Sequence, residues 1–141
     1  MNEVNPIQVL YHEHKYILKV IHALVIFEER LLSEKTVDVV TIHRIIDFTR
    51  SFADRCHHAK EEKILFPEME RKGVPNTGCS LGGLRAEHVQ GRMLVTKLED
   101  TLHYYERGEP HTARKMAEVL SEIRKLYPNH IWKEDEMVFP M

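Results

Sequence analysis

The sequence lacks three features that would place it in a special class of protein. It has only two cysteines, Cys56 and Cys79, and they form no Cys-x-x-Cys pair, so no disulfide framework is expected. Its longest clean apolar run covers about residues 23–27, which is far too short to span a bilayer. Its net charge is only −2, and no basic cluster stands out, so neither nucleic acid nor a membrane surface is an expected partner.

The start of the chain also lacks a recognisable targeting signal. The first six residues include neither a basic segment nor an apolar one, so no secretory signal is expected. Together with the few cysteines, this makes the cytoplasm the expected location. The 141 residues, of which 43% are hydrophobic and 30% charged, are typical of one globular domain with one core.

Four stretches of the chain have helical periodicity, and none has the alternation of a β-strand. We expect helices at about residues 6–32, 37–71, 81–107 and 110–138. Asn5 and Thr36 are the expected N-caps of the first two helices, and Gly108 should end the third. Connections are short apart from residues 72–80, so consecutive helices should be antiparallel. The sequence therefore predicts an all-α, up-down-up-down four-helix bundle.

Histidine is unusually abundant, with 10 residues in 141, and it is the commonest metal-ligating side chain. Residues 57–67 read HHAKEEKILFP, and residues 130–140 read HIWKEDEMVFP. Both segments follow the pattern His-x-x-Lys-Glu-acidic-x-x-x-Phe-Pro. A Glu-His pair precedes each segment at a similar distance and contributes His14 in one case and His88 in the other. The chain therefore consists of two similar helical hairpins, each with one lone His and one His-x-x-x-Glu pair.

This arrangement predicts a metal site between the helices. Residues four apart lie on one face of a helix, so each His-x-x-x-Glu pair can contact one ion. Antiparallel packing would bring the lone His of each hairpin level with that pair. The predicted ligands are His14, His57, Glu61, His88, His130 and Glu134. A mixed nitrogen and oxygen set suits iron, and manganese or zinc less well. Two carboxylates that can bridge favour a site with two ions.

Several other histidines fit the pattern less well than this set. His58 with Glu62 also fits His-x-x-x-Glu, but only the pair that starts at His57 has the same spacing to the following Phe as the second repeat. His58 is therefore expected beside the site. His43 with Asp47 lies fourteen residues before His57, about 21 Å away along the same helix. This pair is expected at the surface. No Glu-x-x-His occurs, which disfavours a ferritin-like di-iron bundle. A core that buried these His and Glu residues without metal would be heavily destabilised.

The motifs resemble those of the hemerythrin-like family, the HHE cation-binding domains. The resemblance covers nearly the whole chain and rests on Glu13-His14, residues 57–67, Glu87-His88 with Gly91-Arg92, and residues 130–134. It implies a single hemerythrin-like domain over residues 1–141, with two iron ions joined by an oxo or hydroxo bridge. Oxygen-carrying members use a fifth His, four residues after the equivalent of His88, where this chain has Arg92. The chain is therefore similar to the branch with four His and two Glu, which includes nitric-oxide-responsive and iron-sensing relatives.

The missing imidazole implies a more open centre than that of an oxygen carrier. The first hypothesis is a di-iron protein that binds or senses oxygen, nitric oxide or the redox state. The alternatives are an oxidoreductase that acts on peroxide or nitric oxide, with a separate redox partner protein, and a protein that stores or donates iron. Arg92 is expected either to orient a bound anion or to form a salt bridge with a nearby Glu. Cys56 is expected to be a small buried thiol. The oligomeric state stays open.

Overall fold

The computed structural model describes residues 6–34, 36–73 and 81–140. Within these ranges the chain forms four helices and contains no β-strand. The first helix is Pro6–Ser33, the second covers residues 39–71, the third is Leu81–Glu106, and the fourth covers residues 112–138. The predicted all-helical class is therefore confirmed. No helix in these ranges is both long enough and apolar enough to cross a bilayer.

The second and fourth helices change their hydrogen-bond pattern along their length. The second helix is α-helical over Val39–Phe48 and Phe66–Arg71, with π-helical segments at Thr49–His58 and Glu61–Leu65 between them. The fourth is α-helical over Thr112–Trp132 and π-helical over Lys133–Val138. π-Helical turns are rare in proteins, and those that occur often lie at functional sites. Here they overlap the two repeated His-x-x-x-Glu segments.

The helix ends differ in part from the prediction. The second helix begins after Asp38, whose carboxylate accepts a hydrogen bond from the backbone N–H of Val40. The predicted cap Thr36 is therefore wrong, because the acidic side chain two residues later satisfies the free N–H group. The predicted cap Asn5 lies outside the described residues. Gly108 follows the third helix with φ +75°, the left-handed conformation in which glycine commonly ends helices.

Two hydrophobic clusters pack the helices together. The larger cluster contains nineteen buried residues, among them Leu24, Ile46, Leu98 and Leu120. The smaller cluster, called here the end cluster, consists of Leu10, Phe66, Met69, Leu81, Leu84 and Phe139. On the first helix, His14 lies between Leu10 of the end cluster and Ile17 of the larger one. On the other helices, the residues that flank the site are Ala53 and Phe66, Leu84 and Leu94, and Tyr127 and Phe139.

Polar contacts between the first and fourth helices join residues in opposite chain order. Near the start of the first helix, the hydroxyl of Tyr11 donates a hydrogen bond to the carbonyl oxygen of Asp135, at 3.0 Å. Near its end, the guanidinium of Arg124 donates two hydrogen bonds to the carboxylate of Glu28, at 2.7 and 3.1 Å. His14 is three residues after Tyr11 and fourteen before Glu28. The predicted site therefore lies towards the end of the molecule that holds the end cluster.

Candidate metal centre

The six predicted ligands converge between the helices, and each is at most 2% exposed. Their donor atoms form two groups, within each of which all atoms lie within 4.8 Å of one another. Both groups contain Glu61 and Glu134. The first group adds His14 and His57, and the second adds His88 and His130. The structure thus brings all six side chains together, while their role as metal ligands stays a prediction.

The imidazole Nε2 atoms face the two shared carboxylates. His57 Nε2 lies 2.5 Å from Glu61 Oε1, and His130 Nε2 lies 3.0 Å from Glu134 Oε1. Across the two halves of the chain, His14 Nε2 lies 3.4 Å from Glu134 and His88 Nε2 lies 3.5 Å from Glu61. Each carboxylate therefore faces imidazoles from both halves of the chain, which is the arrangement that a bridging ligand requires.

A second carboxylate lies behind each of these imidazoles, at its Nδ1 atom. The Nδ1 atoms of His14, His57 and His130 lie within hydrogen-bond distance of a carboxylate oxygen, and that of His88 lies slightly further away. The pairs are His14–Asp135 at 2.7 Å, His57–Glu13 at 3.1 Å, His130–Glu87 at 3.3 Å and His88–Glu62 at 3.7 Å. A carboxylate at Nδ1 fixes the orientation of the ring and leaves Nε2 for an ion.

The repeated lysines hold two of these outer carboxylates. Lys60 Nζ donates a hydrogen bond to Glu13 at 2.9 Å, and Lys133 Nζ lies 3.4 Å from Glu87 in the same way. The Lys of each repeat therefore fixes the Glu that orients the His three residues before that Lys. Sequence reasoning noted the Glu-His pairs but missed this role. The signal was present, because a Glu precedes the lone His in both halves of the chain.

Arg92 links two acidic residues on the second helix. Its Nε donates a hydrogen bond to Asp54 Oδ1 at 2.8 Å, and a terminal nitrogen pairs with Glu62. Glu62 in turn faces His88. Of the two predicted roles of Arg92, the salt bridge with a nearby Glu is confirmed. The side chain is 40% exposed, so it lies at the edge of the centre.

Two predictions concern residues outside the centre, His43 and Cys56. His43 is exposed and pairs with Glu106 at 2.9 Å, so its predicted surface position is confirmed. Cys56 is exposed, so the predicted buried thiol is wrong. The physical reason is the burial of His57 and His58, which turns the preceding side chain towards solvent on the same helix.

Burial and ion pairing together set the protonation of the centre. Burial raises the pKa of Glu61, but its interactions with His14, His57 and His88 outweigh burial and hold that pKa well below the usual value. Burial lowers the pKa of His130, and its contact with Glu87 offsets only part of that change. For His14, burial lowers the pKa, but the carboxylates of Asp135 and Glu61 outweigh burial and raise the pKa above its usual value. Ion binding at this imidazole would therefore release a proton.

The charges around the centre do not balance. Seven carboxylates lie beside the buried imidazoles, and three cationic side chains pair with some of these carboxylates. The carboxylates are Glu13, Asp54, Glu61, Glu62, Glu87, Glu134 and Asp135, and the cations are Lys60, Arg92 and Lys133. With neutral imidazoles, seven negative and three positive charges leave four negative charges. Two divalent cations would neutralise them.

The hydrogen bonding of the inner residues is also incomplete. Among the described residues, eight buried side-chain atoms have no hydrogen-bond partner, and all eight belong to this cluster. They include both carboxylate oxygens of Glu61 and of Glu134, and Nε2 of His14 and of His57. A buried polar atom without a partner costs about 1–3 kcal/mol. The unpaired carboxylate oxygens and ring nitrogens, and the excess negative charge, both fit bound cations.

His58 is buried directly beside the centre. It is 4% exposed, and its ring stacks on that of His88 with 3.9 Å between the centroids. One ring nitrogen of His58 lies within 4.8 Å of ring nitrogens of His88 and His130. Burial lowers the pKa of His58 to about 4. Its expected place beside the site is confirmed, while its contact with two predicted ligands was not foreseen.

The comparison with known families agrees with this geometry. The family model described as the hemerythrin HHE cation binding domain matches residues 5–141. No curated protein and no solved structure matches the chain. The family match covers nearly the whole sequence and includes all six converging side chains. The chain therefore belongs to the hemerythrin HHE cation-binding domain family.

Proposed function

We propose that the chain holds two iron ions between its helices and uses them to bind or sense a small molecule such as oxygen or nitric oxide. His14 and His57 would hold one ion, and His88 and His130 the other. The observation that carries the proposal is the pair of four-donor groups that share both carboxylates. The four unneutralised negative charges support two divalent ions, and the mixed nitrogen and oxygen donors suit iron.

The proposal includes a single domain folded as an up-down-up-down bundle with antiparallel neighbours. The order of the two hydrophobic clusters supports this topology, because it alternates from each helix to the next. The opposite chain order of the Tyr11–Asp135 and Glu28–Arg124 contacts supports it for the first and fourth helices. In such a bundle, each ion would contact side chains from one helical hairpin and share the carboxylates of both.

The chain's own residues would orient the ligands and limit the access of water. Iron ions would supply redox chemistry and positions at which a small molecule can bind. The outer carboxylates at Nδ1 hold the imidazoles with Nε2 inward, so little reorganisation is needed when an ion arrives. The end cluster and the larger cluster cover the centre on both sides along the helices. Phe139 stacks on His14 with 5.9 Å between the ring centroids.

A cavity of about 240 Å³ gives one route towards the centre. It is bordered by His58, Arg92 and Tyr127, among others, and His58 in turn stacks on His88. The charged side chains in its lining, such as Asp54 and Arg92, suit a polar substrate such as peroxide. They favour the second candidate function, an oxidoreductase that acts on peroxide or nitric oxide at the same centre. Reduction of nitric oxide would require electrons from a separate redox partner protein, whereas disproportionation of peroxide to water and oxygen would not.

Metal analysis with an absorption spectrum tests the proposal. We expect two iron ions per chain in the native protein. His130→Ala should lose metal, whereas His43→Ala should keep it, because His43 is exposed and remote from the centre. Zinc alone, or one ion per chain, would contradict the di-iron proposal.

Adding peroxide, and in separate samples oxygen or nitric oxide, to the iron-loaded protein separates the candidate functions. Sustained evolution of oxygen would support the oxidoreductase. A coloured oxygen or nitric oxide adduct that is lost on degassing would support binding or sensing. Rapid transfer of iron to a chelator, without either of these results, would instead indicate iron storage or donation.

A further inference from the structure

We propose that His58 is a fifth imidazole ligand, which binds the ion held by His88 and His130. The proposal rests on the di-metal centre proposed above and adds a residue to its ligand set. It is carried by the group of three ring nitrogens, one from each of these residues, which lie within 4.8 Å of one another. The centre would then be asymmetric, with three imidazoles on one ion and two on the other.

The surroundings of His58 resemble those of the four other imidazoles, and most closely those of His88. Its ring is 4% exposed, and Nδ1 faces a carboxylate oxygen of Asp54 at 3.6 Å. The corresponding distance from His88 to Glu62 is 3.7 Å. All five buried imidazoles therefore have a carboxylate at Nδ1, as is usual for metal-bound histidines. Nδ1 of His58 has no hydrogen-bond partner among the described residues, so hydrogen bonding alone does not explain its burial.

Arg92 joins the carboxylate behind His58 to the carboxylate behind His88. Its guanidinium pairs with Asp54 and with Glu62. The third helix therefore supplies a cation at this position, while the second helix supplies an additional imidazole. In this arrangement Arg92 is a positioning residue, because it fixes the two acidic groups that orient neighbouring rings.

The two hairpins differ at this position. The repeat aligns His58 with Ile131, and both side chains are buried, at 4% and 3% exposure. The second hairpin thus has an apolar core residue where the first has an imidazole. A packing residue would be apolar in both, so the imidazole at position 58 requires a further explanation. A ligand role provides one.

Coordination would require a small movement of the ring. The planes of His58 and His88 are 16° apart, whereas an ion lies in the plane of each imidazole that binds it. The His58 ring must therefore tilt away from the stack. The cavity of about 240 Å³ borders His58 and Tyr127, and it gives the ring room to tilt. Two ligands at about 2.1 Å from one ion and at about 90° to each other are about 3.0 Å apart, the distance already found between Nε2 of His88 and His130.

Counting the metal-bound imidazoles tests the proposal directly. The full chain is loaded with cobalt(II) as a paramagnetic probe, and the histidines are labelled with ¹⁵N. Each bound imidazole keeps one N–H group, which gives one strongly shifted, exchangeable proton signal. We expect five such signals in the native protein and in His43→Gln, and four in His58→Gln. Four signals in the native protein, or five in His58→Gln, would overturn the proposal.

Cobalt affinity gives a second readout. His58→Gln should weaken binding of one of the two ions by about 10-fold or more, since even the loss of an outer partner weakens metal binding 10–100-fold. His43→Gln is the matched control and should bind both ions as the native protein does. Equal affinities in both variants would count against the ligand role. Absence of any shifted signal from the native protein would refute the metal centre itself, which separates that failure from failure of the His58 assignment.

Discussion

Replacing Glu134 by Leu should make the metal-free protein more stable and the metal-loaded protein less stable than the native chain. Glu134 is fully buried, and neither carboxylate oxygen has a hydrogen-bond partner. Its nearest cationic candidates are His130, whose pKa is lowered, and His14. Leu has a similar size and requires neither hydrogen bonds nor a counter-charge. The substitution therefore removes a group that only a cation can satisfy.

The magnitude follows from the two unpaired oxygens. Each costs about 1–3 kcal/mol when buried, and the lost attraction to His14 cancels part of the gain. We expect the metal-free variant to be more stable by about 1–3 kcal/mol. At about 4 °C per kcal/mol, this raises Tm by about 4–12 °C. Metal at 100 times its Kd stabilises the native chain by about 2.7 kcal/mol per ion, which reverses the order.

Thermal unfolding with and without a chelator measures both states. Glu28→Leu is the matched control, because Glu28 is also buried but has a bidentate partner in Arg124. That variant should lose about 0.5–1 kcal/mol, since Arg124 is partly exposed, and its response to metal should stay native. If metal-free Glu134→Leu were destabilised as much as Glu28→Leu, the carboxylate would be stabilising without an ion, and the reasoning would be refuted.

Three further changes test other parts of the molecule. Gly91→Ala should destabilise the protein by about 1–3 kcal/mol, because the new Cβ would lie 2.8 Å from the Tyr127 hydroxyl oxygen; in a Tyr127→Phe background the loss in Tm should be smaller. Lys133→Met should weaken metal binding about 10–100-fold by releasing Glu87, and competition with a coloured chelator measures this; unchanged affinity would contradict the role of the repeated lysines. Phe66→Ala should cost about 3–5 kcal/mol in urea unfolding, since Phe66 is fully buried in the end cluster.

The helices and the six converging residues could be predicted because both depend on local spacing. A His and a Glu four residues apart share one helix face whatever the packing partner is. The repeat then indicated that His57 with Glu61, rather than His58 with Glu62, is the pair equivalent to His130 with Glu134. The N-cap of the second helix was less predictable. Thr36 and Asp38 are both good cap residues, and which of them caps the helix depends on where the chain enters it. Three of the four outer carboxylates depend on contacts between residues more than 40 positions apart, such as His57 with Glu13.

The place of His58 shows why spacing alone is insufficient for this centre. A residue next to a ligand lies about 100° further round an α-helix, which suggested a position at the edge. However, the buried face of a packed helix is itself at least about 100° wide, so two consecutive residues can both lie inside it. Ile131, which follows His130 in the second repeat, is buried in the same way. The aligned repeats therefore contained the evidence that position 58 belongs to the core, and the chemistry of the imidazole then makes that core position a candidate ligand.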